Sequence, residues 1–209
     1  MLNRHARALT TRAFTPLARF LLARGVTADA VTIVGTLGVV LSALVLFPAG
    51  ELFWGTVAIT AFVFSDVLDG VMARLAGRTG AWGSFLDSVL DRVQDAAVFL
   101  GLMLWCFGPA DLVPGGVAAA ACLILGHLVS YARSKAESLG FEANTGIAER
   151  AERLVVTLVA AGLTGLGLDP LVLTWVLGLL AAASAVTVGQ RVATVYRQAR
   201  DRAAQWGHD

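Results

Sequence analysis

Two short stretches, D-V-L-D-G-V-M-A-R at residues 66–74 and G-S-F-L-D-S-V-L-D at residues 83–91, decide how this chain folds. Each lies at one end of a strongly apolar segment and carries two aspartates, three residues apart in the first stretch and four apart in the second. On helices, these spacings put each pair on one face. A charged side chain at mid-bilayer costs roughly 3 kcal/mol or more, so acids in apolar helices indicate a functional site. The four aspartates are Asp66, Asp69, Asp87 and Asp91.

The two aspartate pairs have the chemistry of a metal site. Facing each other, they form a group of hard oxygen ligands, and four carboxylates in one place repel each other unless a cation lies between them. We therefore expect two divalent ions, Mg²⁺ or alternatively Mn²⁺.

The residues between the aspartates suit a phosphate-bearing ligand. Gly70 lies one turn after Asp66 and leaves room for a ligand beside the backbone, and Ala73 extends this small face. Gly83 opens the second helix in the same way, and Arg74 can offer a forked cation to a phosphate. Together with the expected metals, these residues indicate a pyrophosphate substrate.

The composition is that of a membrane protein. Of the 209 residues, 57% are hydrophobic and only 15% are charged, and the mean hydropathy is +0.73. These values exclude an ordinary soluble domain and predict an all-α integral membrane protein. No Gly-, Ser- or Pro-rich linker divides the chain, so residues 1–209 are expected to form one domain, without a nucleic-acid partner. Cys106 and Cys122 lie in apolar runs and are interpreted as small buried hydrophobes.

The apolar segments predict six transmembrane helices preceded by an amphipathic helix on the cytoplasmic membrane surface. The amphipathic helix occupies residues 1–26, where arginines alternate with apolar residues at helical spacing. A partly ordered basic tail is the alternative for this segment. Residues 27–190 form the six-helix bundle and residues 191–209 a basic cytoplasmic tail. The six spans run over residues 31–47, 52–75, 84–107, 116–136, 153–166 and 171–190.

The basic residues predict the orientation of these spans. The loops near residues 48–52, 108–115 and 166–170 contain no Lys or Arg, whereas the loops on the other side contain several. Because cytoplasmic loops carry an excess of Lys and Arg, both termini and the acidic motif are expected in the cytoplasm, at the plasma membrane. The basic loop residues are Arg74, Arg78, Arg133, Lys135 and Arg150.

A second basic group ends the fourth span and opens the fifth. Arg133, Lys135 and Arg153 are predicted to converge on a phosphate of a second substrate. Ordinary membrane anchoring by basic side chains is the alternative, and the role of Arg150 stays open. Asp95 lies one turn past Asp91 and is expected either to act directly or to pair with Arg92 or another cation.

The pattern D66-x2-D69-G70-x2-A73-R74-x8-G83-x3-D87-x3-D91 resembles the signature of the CDP-alcohol phosphotransferases, with all eight fixed positions present. These membrane enzymes transfer a substituted phosphate from a CDP-linked donor to an alcohol and release CMP. The segments 130–137 and 149–153 further resemble a subfamily, the actinobacterial phosphatidylinositol phosphate synthases. That resemblance implies CDP-diacylglycerol as donor, inositol phosphate (1D-myo-inositol 3-phosphate) as acceptor, and a homodimer.

The family resemblance also implies roles for individual residues. Asp66, Asp69 and Asp87 would bind the first metal, and Asp66, Asp87 and Asp91 the second. Asp91 would be the general base for the acceptor hydroxyl. The donor would contact Gly70, Ala73, Arg74 and Gly83, with Asp29 and Thr32 beside the nucleotide. Relatives tend to carry Ser or Thr where this chain has Gly80, so a hydroxyl contact to the donor is expected to be lost or shifted to Thr79.

Three other functions compete with this interpretation. Within the family, phosphatidylglycerol phosphate synthesis would use glycerol 3-phosphate as acceptor, which also presents a phosphate to basic residues. A transporter or cation channel would share the intramembrane acids, but here they cluster at one membrane side. A catalytically inactive scaffold is disfavoured because all four aspartates are intact.

Overall fold

The chain is helical throughout the part that a computed structural model describes, residues 14–77 and 80–206. Part of the predicted surface helix (residues 1–13), Arg78, Thr79 and residues 207–209 lie outside the described residues. No strand occurs in the described ranges, so the all-α prediction is confirmed. The helices are α1 (Phe14–Ala23), α2 (Ala28–Leu46), α3 (Leu52–Val63), α4 (Ser65–Leu75), α5 (Ala81–Phe107), α6 (Val113–Ser138), α7 (Arg150–Gly165) and α8 (Pro170–Trp206).

Four segments of the described chain are long and apolar enough to cross a membrane, which makes this a multi-pass membrane protein. They are Ala28–Leu46, Leu52–Leu75, Val113–Ser138 and Pro170–Ala204. The third predicted span corresponds to α5, which has 27 residues but carries four charged side chains at positions 87–95. The fifth corresponds to α7, which has only 16 residues. Length and composition therefore support four of the six predicted spans.

The main core forms where α2, α3, α5, α6, α7 and α8 pack together. Phe47 of α2, Leu102 of α5 and Leu177 of α8 are fully buried in it. By contrast, large apolar residues are exposed on the outside of several helices, for example Trp175 at 72% and Leu179 at 69%. Apolar residues both inside and outside the bundle are what a protein surrounded by lipid requires. The buried Cys106 and Cys122 are free thiols, as expected.

The second predicted span is divided into α3 and α4 at Phe64. The break lies where this segment approaches α2 most closely. A Cβ at Gly35 would come within 1.8 Å of Ser65 Oγ, and one at Gly38 within 2.3 Å of the Phe62 ring. Ser65 Oγ also donates a hydrogen bond of 2.6 Å to the Phe62 carbonyl. As a consequence, Asp66 lies in the first turn of a new helix, where the helix dipole favours a negative charge.

Helix α1 packs on the helix that carries the first aspartate pair. Ala18 is fully buried against Leu68, Val71 and Met72 of α4. On its other face, Phe20 is 52% exposed, and the Arg24 guanidinium lies 4.8 Å from its ring. Helix α1 is therefore attached to the motif helix by a small apolar cluster.

Helix α8 is much longer than a span and holds the α6–α7 loop (residues 139–149) in place. It continues as a helix through most of the segment predicted to be a tail. Thr187 Oγ1 accepts bonds of 3.2 Å from the backbone N–H groups of residues 147 and 148. Three further side chains on the same face bond to the loop backbone: Arg191 to residue 145, Gln198 to residue 142 and Arg202 to residue 140.

Candidate active site

A cavity of about 1040 Å³ opens between the start of α2, α4 and the start of α5. Its lining includes Asp66, Asp69 and Asp87. It also includes every residue predicted to bind the donor, namely Asp29, Thr32, Gly70, Ala73, Arg74, Gly80 and Gly83. Residues from three separate segments thus meet at one concave surface.

The four aspartates form one electrostatic group on α4 and α5. Asp69 is repelled by the charges of Asp66 and Asp87, and Asp91 is repelled by the same two charges. Of the four aspartates, Asp91 alone is absent from the described residues that line the cavity. The group therefore has three members at the cavity wall and a fourth one turn further along α5.

Each of three aspartates has a protein partner. The Thr32 hydroxyl donates a short hydrogen bond to Asp69 Oδ2. Gln94 Nε2 lies 3.4 Å from Asp66 Oδ1, and Arg150 Nη1 lies 3.0 Å from Asp91 Oδ1. Thr32, which was predicted to border the nucleotide, lines the cavity, and its hydroxyl is engaged by Asp69.

The start of α2 is fixed by its own contacts. Thr27 is the N-cap of α2, and its side chain accepts a bond of 3.2 Å from the Ala30 N–H. The indole N–H of Trp82 donates to Asp29 Oδ2 at 3.0 Å. This bond joins α2 to the start of α5 across the cavity and orients the Asp29 carboxylate.

The donor set fits a divalent cation by its chemistry. Oxygen ligands suit Mg²⁺ and Mn²⁺, and the mutual repulsion of the four carboxylates is what a bound cation would relieve. In the described part of the chain, however, no three His, Cys, Asp or Glu side chains form a group that could hold a metal as they stand. Asp69 and Asp91, which bond to Thr32 and Arg150, would therefore have to adjust when a metal binds.

The glycines of the motif face free space. A Cβ at Gly80 or Gly83 would meet no described atom within 4 Å, and one at Gly70 would meet Arg74 Nη1 at 3.5 Å. Gly101, further along α5, differs because a Cβ there would lie 2.3 Å from the Ala43 carbonyl oxygen. The motif glycines thus enlarge the cavity, whereas Gly101 allows helices to pack.

The basic residue Arg153 is buried, with 2% of it exposed. Its Nη1 donates to the Ala148 carbonyl at 2.8 Å, and its Nη2 lies 3.5 Å from the Gly126 carbonyl. Gly126 makes room for it, since a Cβ there would lie 3.3 Å from Arg153 Nε. The guanidinium is therefore fixed between α6 and the loop.

The other predicted acceptor residues are on the surface of α6. Arg133 is exposed and pairs with Glu137 at 2.8 Å, and Lys135 is exposed as well. Arg191 of α8, which the sequence analysis did not single out, is 3% exposed and donates to the Val129 carbonyl at 2.6 Å. Residues 126, 129 and 133 follow one face of α6, so Arg153, Arg191 and Arg133 occupy successive turns, and Lys135 lies off this row.

The structure also assigns partners to residues whose roles the sequence left open. Asp95 pairs with Arg150 at 3.0 Å rather than with Arg92. Gln94, which sequence analysis missed, is 1% exposed beside the aspartates. Its spacing of three residues from Asp91 was the available signal, because it puts both on one helix face.

The fold and this site define a membrane-embedded transferase of the CDP-alcohol type. A family model described as CDP-alcohol phosphatidyltransferase matches residues 25–187. The chain belongs to this family, whose members are enzymes, and every described cavity-lining residue except Leu22 lies within the matched residues.

Individual relatives narrow the comparison. A phosphatidylinositol phosphate synthase of Streptomyces avermitilis is 50% identical over 208 residues, which cover 96% of this chain and 85% of that protein. A crystal structure of the Mycobacterium tuberculosis phosphatidylinositol phosphate synthase with CDP-DAG bound has a TM-score of 0.84 at 42% identity, covering 88% of this chain and 94% of the other. The same enzyme in complex with manganese and citrate gives a TM-score of 0.83 at 41% identity, covering 88% of each chain.

Proposed function

We propose that this enzyme transfers the phosphatidyl group from CDP-diacylglycerol to inositol phosphate, giving phosphatidylinositol phosphate and CMP. The observation that carries the proposal is the single cavity in which three of the four aspartates meet all seven residues predicted to bind the donor. The names of the relatives support the choice of donor and acceptor.

The donor is held by its pyrophosphate and nucleotide. Arg74 offers its guanidinium to a phosphate, and the uncovered backbone at Gly70 and Gly83 admits the ligand. Asp29, oriented by Trp82, lies beside the nucleotide. Gly80 adds space at the start of α5 but no hydroxyl, so a hydroxyl contact to the donor would be lost or shifted to Thr79.

The reaction exchanges one P–O bond for another. The acceptor hydroxyl oxygen forms a bond to the phosphorus that carries diacylglycerol, and the bond from that phosphorus to the CMP oxygen breaks. The hydroxyl proton passes to Asp91, and CMP leaves with the electron pair.

The metal ligands are the four aspartates. Asp66, Asp69 and Asp87 would hold one ion and Asp66, Asp87 and Asp91 a second, with Mg²⁺ as the metal and Mn²⁺ as a substitute. When bound, these ions neutralise the charge of the pyrophosphate and of the leaving CMP. The manganese complex of the M. tuberculosis enzyme supports a divalent metal.

The acceptor phosphate is bound by Arg133, Lys135 and Arg153, with Arg191 as a fourth cation. Arg153 and Arg191 are buried and fixed by backbone carbonyls, which gives them a defined position for an anion. Glycerol 3-phosphate is the alternative acceptor, since it presents the same group, but the names of the relatives favour inositol phosphate.

The membrane arrangement follows from the same reasoning. We propose that α5 and α7 complete a six-span bundle and that Arg150 and bound divalent ions offset the charge of the α5 aspartates within it. Residues 1–26 lie on the cytoplasmic surface of the plasma membrane, both termini and the active site face the cytoplasm, and two chains form a homodimer.

The test is CMP release by the purified protein in detergent with CDP-diacylglycerol and Mg²⁺. Inositol phosphate, glycerol 3-phosphate, free inositol and serine are compared as acceptors, and Asp91→Asn is assayed in parallel. Release with inositol phosphate that is lost in the variant is the expected result. Release only with glycerol 3-phosphate would replace the acceptor, and no release with any acceptor would overturn the proposal.

A further inference from the structure

Arg150 joins the acceptor side of the site to the aspartates. It is the first residue of α7, and its guanidinium faces three residues on one side of α5. Nη1 lies 3.0 Å from Asp91 Oδ1, and Nε lies 3.0 Å from Asp95 Oδ1. Nη2 donates to Gln94 Oε1 at 3.2 Å. All three guanidinium nitrogens are therefore engaged by α5.

Two of the three residues that contact Arg150, Gln94 and Asp95, are more deeply buried than the third, Asp91. Gln94 is 1% exposed, and Asp95 is 7% exposed. The Gln94 amide is fixed from both ends, because Nε2 donates to Thr36 Oγ1 at 3.1 Å while Oε1 accepts from Arg150. The Asp91 side chain, by contrast, is 18% exposed. Nε and Nη2 of Arg150 are thus held by buried residues, and Nη1 contacts the more exposed Asp91.

We propose that Arg150 is a positioning residue for Asp91, anchored by Asp95 and Gln94, and that it does not bind the acceptor phosphate. This inference rests on the proposed function, in which Asp91 accepts the proton. Because Asp95 and Gln94 hold Arg150, the arginine keeps its position when the Asp91 carboxylate turns toward a cation or substrate. Arg153 lies one turn further on α7, so the same helix sets both the acceptor site and the base.

Because Asp91 and Asp95 share Arg150, removing the arginine and removing the Asp95 charge should change divalent-ion affinity in opposite directions. Loss of Arg150 removes a cation from Asp91, so a divalent ion should bind more tightly while turnover falls because Asp91 is no longer oriented. Loss of the Asp95 charge leaves Asp91 as the sole carboxylate in contact with Arg150 among the described residues, so a divalent ion should bind more weakly. A residue that only supports the fold would not produce opposite changes in affinity.

The experiment uses the full chain in detergent and compares Arg150→Gln, Arg150→Lys and Asp95→Asn. Mn²⁺ binding is measured by electron paramagnetic resonance, and kcat and KM for inositol phosphate are measured in Mg²⁺. For Arg150→Gln we expect Mn²⁺ affinity to rise about threefold or more, and kcat to fall about 10- to 100-fold with KM within about twofold. Arg150→Lys should recover part of kcat, and Asp95→Asn should weaken Mn²⁺ binding about threefold.

The control is Arg200→Gln, which removes an exposed arginine of α8 outside the site and should change none of these values. A large rise in KM for inositol phosphate with unchanged kcat in Arg150→Gln would make Arg150 an acceptor ligand and overturn the inference. Mn²⁺ affinity that falls in both Arg150→Lys and Asp95→Asn would also overturn it, even if Arg150→Gln did not fold. A wild-type protein that binds Mn²⁺ but ignores inositol phosphate would refute the proposed acceptor alone, because the opposite Mn²⁺ changes would still be measurable.

Discussion

The proposed donor side of the site, which is the cavity, and the proposed acceptor side, around Arg153 and Arg191, are built on different physical principles. The donor side is an open cavity of about 1040 Å³ whose glycines leave free space. On the acceptor side, Arg153 and Arg191 are buried and their N–H groups are bonded to backbone carbonyls. A lipid nucleotide needs room, whereas a small phosphate needs fixed charge. Changes on the donor side should therefore act through space and metal ligation, and changes on the acceptor side through charge.

The largest loss of activity is expected from substitution of an aspartate, because the proposed metal ligands serve both the donor and the acceptor. Asp87→Asn should lower CMP release about 10³-fold or more, because one ligand is lost from the group that stabilises the leaving phosphate. The melting temperature should be unchanged or higher, since one of four mutually repelling carboxylates is gone. CMP release and thermal unfolding in detergent measure the two effects.

The matched control for Asp87→Asn is Asp111→Asn. Asp111 is exposed in the loop after α5, and its φ of 46° is a conformation that Asn also adopts. The Asp111→Asn variant should keep full activity. An Asp87→Asn protein with near-normal activity would show that the donor cavity works without this carboxylate.

A smaller effect is expected from Thr32→Val, which keeps the shape of the side chain but removes the hydroxyl that bonds to Asp69. Groups that orient metal ligands typically contribute about 10- to 100-fold in metal affinity or activity. We expect a change of that size in the Mg²⁺ concentration required for half-maximal CMP release. Thr174→Val, whose hydroxyl bonds within α8, is the control; equal Mg²⁺ requirements in the two variants would contradict this role.

Glycine substitutions separate space for the ligand from space for packing. Gly83→Ala should raise KM for CDP-diacylglycerol about three- to tenfold, while stability stays equal or rises by roughly 0.5–1 kcal/mol because Ala favours the helix. Gly101→Ala should do the reverse: its Cβ would clash with the Ala43 carbonyl, which costs about 1–3 kcal/mol, and KM should not change. KM and the free energy of unfolding are measured for both; a Gly83→Ala variant that is destabilised with normal KM would remove the distinction.

The smallest effect is expected at the exposed edge of the acceptor side. Arg133→Gln should raise KM for inositol phosphate about threefold and leave the melting temperature unchanged, because an exposed pair contributes about 0–1 kcal/mol. Glu137→Gln frees the same arginine and should leave KM equal or lower. If Arg133→Gln and Glu137→Gln raised KM equally, the effect would come from the ion pair and not from the cation.

The sequence predicted the grouping of the cavity residues better than the contacts of the basic side chains, for a physical reason. Gly70, Ala73, Arg74 and Gly83 follow from local helix spacing within two short stretches, whereas Asp29 and Thr32 were expected from the family resemblance; the structure brings all six to one cavity. The contacts of Arg150 with Asp91 and of Arg191 with Val129 join residues 59 and 62 positions apart, which no helical period reveals. The break at Phe64 was also missed, because no Pro or Gly lies beside it; it falls where Gly35 and Gly38 of α2 come close to Ser65 and Phe62. The four charged residues of α5 keep this helix from meeting the length and composition requirements for a membrane span, so fewer than the six predicted spans are supported.

The bonds from α8 to the α6–α7 loop have a consequence for the order in which the protein is made. Helix α8 leaves the ribosome after every other described helix, and it supplies Thr187, Arg191, Gln198 and Arg202 to the loop. The helices that form the donor cavity are complete long before that point. A nascent chain therefore completes the helices that line the cavity first, and the loop that precedes Arg150 and Arg153 gains its contacts with α8 last.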